Sequence, residues 1–177
     1  MTKIYSDTAD LKTIKKQIKK YKIDGVTTNP SIMRANGVKD YKKHCLKILE
    51  VTKKKPLSVE VFADQSGEIL DQAKKISLWG KHLFVKVPIV NTKGKILTSV
   101  IQKLNSSKIK LNITAIFTLE QVTQIKKVID YKTPVIISIF CGRIADSGLD
   151  PEILTKKAVK IFKSYKNVQI LWASTRE

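Results

Sequence analysis

Short runs dominated by apolar residues alternate along this chain with longer stretches in which apolar residues recur every three or four positions. The short runs predict strands at about Lys3–Ser6, Gly25–Thr28, Leu57–Phe62, Leu83–Pro88, Leu111–Phe117, Val135–Phe140 and Val168–Ala173. They are rich in Val, Ile, Leu and Phe, as strands buried on both faces should be. The longer stretches predict helices. Asp10–Tyr21 places Leu11, Ile14 and Ile18 on one face, and Tyr41–Thr52 does the same with Tyr41, Cys45, Ile48 and Leu49. Glu68–Leu78, Lys95–Leu104, Leu119–Ile129 and Pro151–Tyr165 follow. Asp150 before Pro151 is a good start signal, a capping side chain followed by proline at the first helical position. A helix after each strand implies βαβ units and a parallel sheet. No internal linker, low-complexity segment or close repeat interrupts the alternation.

Polar residues inside or just after these strands carry the most information. They are Asp7, Asn29, Glu60, Lys86, Asn112 with Thr114, Ser138 and Ser174. The intervals from Asp7 through Asn29, Glu60, Lys86, Asn112 and Ser138 to Ser174 are 22, 31, 26, 26, 26 and 36 residues, a rhythm of one polar position per βα unit. Asn112 and Thr114 are two apart and share a strand face. Polar groups near the carboxyl ends of many parallel strands converge at the mouth of a (β/α)8 barrel. An open doubly wound sheet is the fallback. It would not need a polar residue in nearly every strand, and it usually has a glycine-rich turn after its first strand, where this chain has Asp7-Thr8-Ala9-Asp10. Seven strands are visible in 177 residues, whereas a complete barrel usually takes at least ~200. The expectation is one domain over residues 1–177, a TIM-type (β/α)8 barrel cut short after its seventh strand.

Composition changes this picture little. At 42% hydrophobic and 28% charged residues the chain is an ordinary globular sequence rather than a disordered one. No apolar run approaches the ~20 residues of a membrane helix, and the first residues lack a signal core, so a cytoplasmic location is expected. Two cysteines, Cys45 and Cys141, make no disulfide scaffold. The net charge of +19 invites a nucleic-acid reading. All but three of the 34 basic residues are lysine, however, spread along predicted solvent-facing helices. Base readout favours arginine forks. A lysine-heavy surface with weak, non-specific polyanion binding at low salt is the better reading.

Lys86 stands in Leu83-Phe84-Val85-Lys86-Val87-Pro88. Unprotonated lysine is a nucleophile toward carbonyls, and four large apolar neighbours leave this one few routes to water. Alone it reads as readily as a strand-end lysine that snorkels out. The other polar residues in the strands favour the nucleophile. Asp7 and Glu60 are carboxylates placed to move the protons a Schiff-base reaction requires. Asp10 is the better cap for the first helix, which frees Asp7. Arg143 and Arg176, beside Ser174, suggest a phosphate clamp. Arg34 reads equally as a surface charge. His44, His82, Cys45 and Cys141 have no metal-site spacing, and no phosphate-binding glycine loop indicates a nucleotide. No metal or other cofactor is expected.

These residues resemble the transaldolases and their smaller fructose-6-phosphate aldolase relatives. The resemblance rests on Asp24-Gly25-Val26-Thr27-Thr28-Asn29-Pro30-Ser31, Val85-Lys86-Val87-Pro88, Leu111-Asn112-Ile113-Thr114-Ala115-Ile116-Phe117, Ser138-Ile139-Phe140-Cys141-Gly142-Arg143-Ile144 and Ala173-Ser174-Thr175-Arg176-Glu177. With Asp7 these blocks span the chain in the family's order. The resemblance implies a metal-free class I mechanism on sugar phosphates, of the kind found in the pentose phosphate pathway. Lys86 matches the Schiff-base lysine. Asp7 matches the group that takes the C4 hydroxyl proton as the C3–C4 bond breaks. Glu60 and Thr114 match the pair that holds a catalytic water. Asn29 and Asn112 match amides that bind the dihydroxyacetone fragment, and Thr27 and Ser138 line the same pocket. Arg143, Ser174 and Arg176 match the phosphate-binding group. Glu60 and Phe140 stand where the aldolases carry glutamine and tyrosine, which places the chain on the transaldolase side. The alternatives are a simple aldolase releasing dihydroxyacetone and a non-catalytic polyanion-binding protein. Relatives continue through an eighth strand and further helices that include subunit-packing surfaces, so a homo-oligomer stays open.

Overall fold

Seven of the apolar runs form seven parallel strands, joined in chain order into one sheet, β1 to β7, with each strand beside its sequence neighbours. The computed structural model describes residues 2–175. Its elements are β1 (Tyr5–Asp7), α1 (Leu11–Tyr21), β2 (Gly25–Thr27), α2 (Pro30–Ala35), α3 (Tyr41–Thr52), β3 (Leu57–Glu60), α4 (Ser66–Ser77) and β4 (Leu83–Pro88). Then come α5 (Thr98–Ser106), β5 (Leu111–Ile116), α6 (Leu119–Val128), β6 (Val135–Phe140), α7 (Cys141–Asp146), α8 (Pro151–Ile161) and β7 (Val168–Ala173). A sequential, all-parallel order of this kind is seven units of a (β/α)8 barrel, curled but open between β7 and β1. No helix among the described residues is long and apolar enough to cross a membrane.

Side-chain alternation separates the two faces of the sheet. Leu57 and Val59, Val85 and Val87, Leu111 and Ile113, and Ile137 and Ile139 are fully buried and join the apolar cluster under the helices. That cluster takes Ile14 from α1, Cys45 and Ile48 from α3, Ile69, Ala73 and Ile76 from α4, and Val122 and Ile125 from α6. The residues between them on each strand, Ser58 and Glu60, Lys86, Asn112 and Thr114, and Ser138, lie on the opposite face, inside the curl. Burial on the outer face thus fixes the register that turns the polar set inward.

Caps set where the helices begin. Asp10 accepts from the Thr13 amide at 2.7 Å, as its position before Leu11 predicts. Asp40 accepts from Lys43 N at 2.8 Å, and Thr118 forms a capping box with Gln121. Several boundaries differ from the expectation. The third strand ends at Glu60 rather than Phe62, because the Phe62 and Ala63 amides donate to Gln72 Oε1 of α4 instead of to a strand. The fifth helix starts at Thr98 rather than Lys95. Asn91 Oδ1 accepts from the Lys93 and Lys95 amides, turning the chain so that Ile96 bridges back to Val90. Two short helices, α2 and α7, sit between strand and main helix where one helix per unit was expected.

Candidate active site

The inward polar set gathers at the carboxyl ends of the strands. Lys86 is opposite Glu60 in the β3–β4 register and opposite Asn112 in the β4–β5 register. Its Nζ lies 3.1 Å from Glu60 Oε2. Lys86 is 7% exposed, so this is an ion pair largely out of water. Such a pair is retained at a desolvation cost that packing alone would not require, which marks it as a functional candidate. The Tyr41 hydroxyl donates to the Glu60 carbonyl at 2.9 Å and its ring packs against Phe62, with centroids 4.4 Å apart. The end of β3 is therefore held from the helix side.

Deeper in the curl, three side chains form a buried relay. Ser138 Oγ donates to Asn112 Oδ1 at 2.7 Å, and Asn112 Nδ2 donates to Ser58 Oγ at 2.9 Å. Thr114, two residues after Asn112, is buried with a hydroxyl that has no partner among the described residues. The strand register shifts just beyond it, where Ala115 takes a left-handed backbone with φ of 58°. Bulges of this kind re-aim side chains beside functional sites.

At the open side, Thr27 Oγ1 donates to Asp7 Oδ1 at 2.8 Å, and the two residues are register partners of β2 and β1. Asp7 is exposed at the mouth, while Thr27 is buried. His44 Nε2 donates to the Ala9 carbonyl at 2.7 Å, tying the segment after Asp7 to α3. Asn29 spends its side-chain oxygen as the cap of α2, accepting from the Ile32 amide at 2.9 Å. Its amide nitrogen keeps two N–H donors beyond that cap.

A cleft of about 110 Å³ joins these groups. Asp7, Thr27, Asn29, Lys86, Thr114, Ser138, Phe140, Arg143 and Ser174 line it, with Leu171 and Ala173 from β7. Phe140 stands edge-on to Phe117, centroids 5.6 Å apart, and the Arg143 guanidinium lies over its ring at 5.5 Å. Ser174, like Ala115, takes a left-handed backbone, with φ of 58°. Glu60 and Asn112 contact the lining through Lys86 and Ser138. Arg176 lies outside the described residues.

Neither cysteine belongs to this site. Burial pushes the Cys45 thiol up to about 12 and raises Cys141 as well, so both stay protonated and poorly reactive near neutral pH. No group of three or more His, Cys, Asp or Glu side chains able to hold a metal occurs among the described residues. Ser58 is the site residue that the sequence reading passed over. A small serine between apolar neighbours looks like packing. Its place two residues before Glu60, on the same strand face, was the available signal.

The chain matches the Transaldolase/Fructose-6-phosphate aldolase family over residues 4–177. It is 31% identical over 175 residues to a protein of Dehalococcoides mccartyi described as a probable transaldolase, covering 98% of this chain and 77% of that one. It is 34% identical over 175 residues to a probable transaldolase of Herpetosiphon aurantiacus, covering 98% and 75%. A probable transaldolase of Thermoplasma volcanium is 34% identical over 178 residues, again covering 98% and 75%.

Proposed function

We propose that this chain, which belongs to the transaldolase/fructose-6-phosphate aldolase family, transfers a dihydroxyacetone unit between sugar phosphates through an imine on Lys86. The observation that carries the reading is the buried Lys86 paired with a part-buried Glu60 at 3.1 Å, facing a cleft that also holds Asp7. Glu60 is the base within reach of the ammonium. Taking its proton releases the neutral amine that attacks the ketone carbon. The resulting carbinolamine must lose water, and the same proton returns to the departing hydroxyl. The unpartnered Thr114 hydroxyl is a ready anchor for a water that carries it.

Once the imine stands on Lys86, Asp7 takes the C4 hydroxyl proton. The C3–C4 electron pair then flows into the imine, leaving an enamine and a free aldose phosphate. The Thr27 hydroxyl holds one carboxylate oxygen of Asp7, so the other is free for this proton. Arg143 offers donors for the phosphate at the rim, which Ser174 also lines. Phe140 has no hydroxyl to bring a proton or water to the enamine carbon, which favours waiting for an aldehyde acceptor over release of dihydroxyacetone.

The test is reductive trapping. Incubation with fructose 6-phosphate and borohydride should leave one adduct, mapped to Lys86 by mass spectrometry and absent in Lys86→Ala. Labelling scattered over surface lysines, with none preferred, would sink the imine reading.

A further inference from the structure

We infer that Ser58 is a positioning residue for ketone recognition, acting by fixing the side-chain amide of Asn112. The inference rests on the imine reading above and goes beyond it. Ser58 and Asn112 are both 0% exposed. Ser58 is on β3 and Asn112 on β5, so their 2.9 Å hydrogen bond reaches past β4, the strand that carries Lys86. Asn112 is also the register partner of Lys86. Lys86 and Asn112 therefore stand side by side on the inner face of adjacent strands.

An asparagine amide carries one acceptor oxygen and two N–H groups. Ser138 uses the oxygen and Ser58 uses one N–H. What is left is a single N–H, and its direction is set by the two bonds already made. A hydroxyl on the carbon next to the ketone is the acceptor that such a donor suits. Without Ser58, the amide keeps only the Ser138 contact and can rotate about its last torsion, so the remaining N–H is no longer pre-aimed. Preorganised donors discriminate because they need no rearrangement when the ligand arrives. Ser58 itself touches no substrate in this account.

The experiment compares the full chain with Ser58→Ala and Ser58→Thr. Removing one buried oxygen leaves a small void, and threonine keeps the hydroxyl. A cooperative melt for either variant is enough to proceed. The first readout is hydrogen exchange of the Asn112 side-chain amide by NMR, assigned by its loss in Asn112→Asp. Exchange should be slow in the parent and in Ser58→Thr, and faster in Ser58→Ala. The second is the rate of borohydride trapping at Lys86 with dihydroxyacetone against acetone, which lacks both hydroxyls. Ser58→Ala should lose roughly 3- to 10-fold of the preference for dihydroxyacetone, the worth of one neutral hydrogen bond, with acetone trapping unchanged. Ser58→Thr should restore it. A role in packing alone would slow both ketones equally and would overturn the inference, as would unchanged amide exchange in Ser58→Ala. If neither ketone labels Lys86 in the parent, the imine reading falls. Amide exchange then still decides whether Ser58 holds Asn112.

Discussion

The central strands β3 to β6 and the edge strands β1 and β7 differ in how firmly the fold holds them. Each central strand has two neighbours, and all but one of its residues are buried. At the edges, β1 and β7 have one neighbour each among the described residues, and no residue of β7 is fully buried. Ile4 is 59% exposed and Trp172 45%. A groove of about 520 Å³, lined by Ile4, Tyr5, Ile136, Ile170 and Leu171 among others, runs between them, bridged by the Tyr5 hydroxyl and Gln169 Oε1 at 3.4 Å. The chemistry divides the same way. Lys86, Glu60 and Thr114, proposed to make the imine, and Asn112 and Ser138, proposed to recognise its ketone, are on central strands. Asp7, proposed to break the carbon–carbon bond, ends an edge strand, and Ser174 follows the other. Imine formation should therefore be the robust half of the reaction and cleavage the fragile half.

The sharpest way to separate the halves is Asp7→Ala. Loss of a positioned acid/base typically costs ~10²–10⁴-fold in rate. Transfer from fructose 6-phosphate to an aldose phosphate acceptor should fall by that order, while borohydride trapping at Lys86 stays within a few-fold of the parent. Equal loss of both would mean that Asp7 supports the fold or the imine, and the division by strand would fail.

Much of this division was readable in the sequence. β4, β6 and β7 and helix α3 have the predicted ends, and for β4 and β6 the reason is that strands buried on both faces appear as apolar runs with a single polar interruption. Those interruptions at Lys86, Asn112 and Ser138 are the residues the structure brings together. The less visible features depend on tertiary contacts. The end of β3 is decided by Gln72, twelve residues after Glu60, and Ser58 becomes distinctive only when Asn112 reaches it from two strands away. The bulge at Ala115 carries no glycine to announce its positive φ. Asn29 matches a ligand amide by resemblance, yet its side-chain oxygen caps α2, a role that the following Pro30 signals.

A truncation pair tests packing directly. Ile113 of β5 is 0% exposed, whereas Ile170 of β7 is only partly buried against the core. Ile113→Ala should cost ~2–5 kcal/mol, the usual range for a closed interior site that keeps its cavity. Ile170→Ala removes side chain that already meets solvent and should cost roughly 1 kcal/mol. Denaturant melts would measure both. Comparable losses would show the edge to be as well packed as the centre. The same openness predicts hydrophobic-dye binding and association that rises with salt, since unpaired strand edges are templates for pairing and the +19 charge opposes contact only while unscreened. Monomeric sedimentation at moderate salt with no dye binding would count against it.

The most local expected effect concerns the clamp that fastens β7 to β6. Asn167, just before β7, donates from Nδ2 to the carbonyls of Asp130 at 2.9 Å and Thr133 at 2.7 Å. That turn is shaped by the Asp130 carboxylate, which accepts from Lys108 Nζ, the Lys132 and Thr133 amides and the Thr133 hydroxyl. Burial pushes this carboxyl up, but the Lys108 ammonium and the Thr133 and Lys132 donors outweigh it and hold it well below the usual carboxylate range. Lys108 is largely exposed, so the ion pair adds little and the backbone donors carry the clamp. Asp130→Ala should cost ~1–2 kcal/mol at neutral pH, the scale of one charge-assisted hydrogen bond. A carboxyl that is more acidic in the folded chain than in the unfolded one stabilises above its ordinary value, near 3.8, and that stabilisation is lost as the pH falls further. The gap between parent and variant should thus be widest near neutrality and close in acid. Amide exchange should quicken in β7 and leave β3 to β5 unchanged, because the clamp holds only the edge. A gap that stays constant down to low pH, or exchange that rises equally in the central strands, would show that Asp130 supports the whole sheet rather than its fastening.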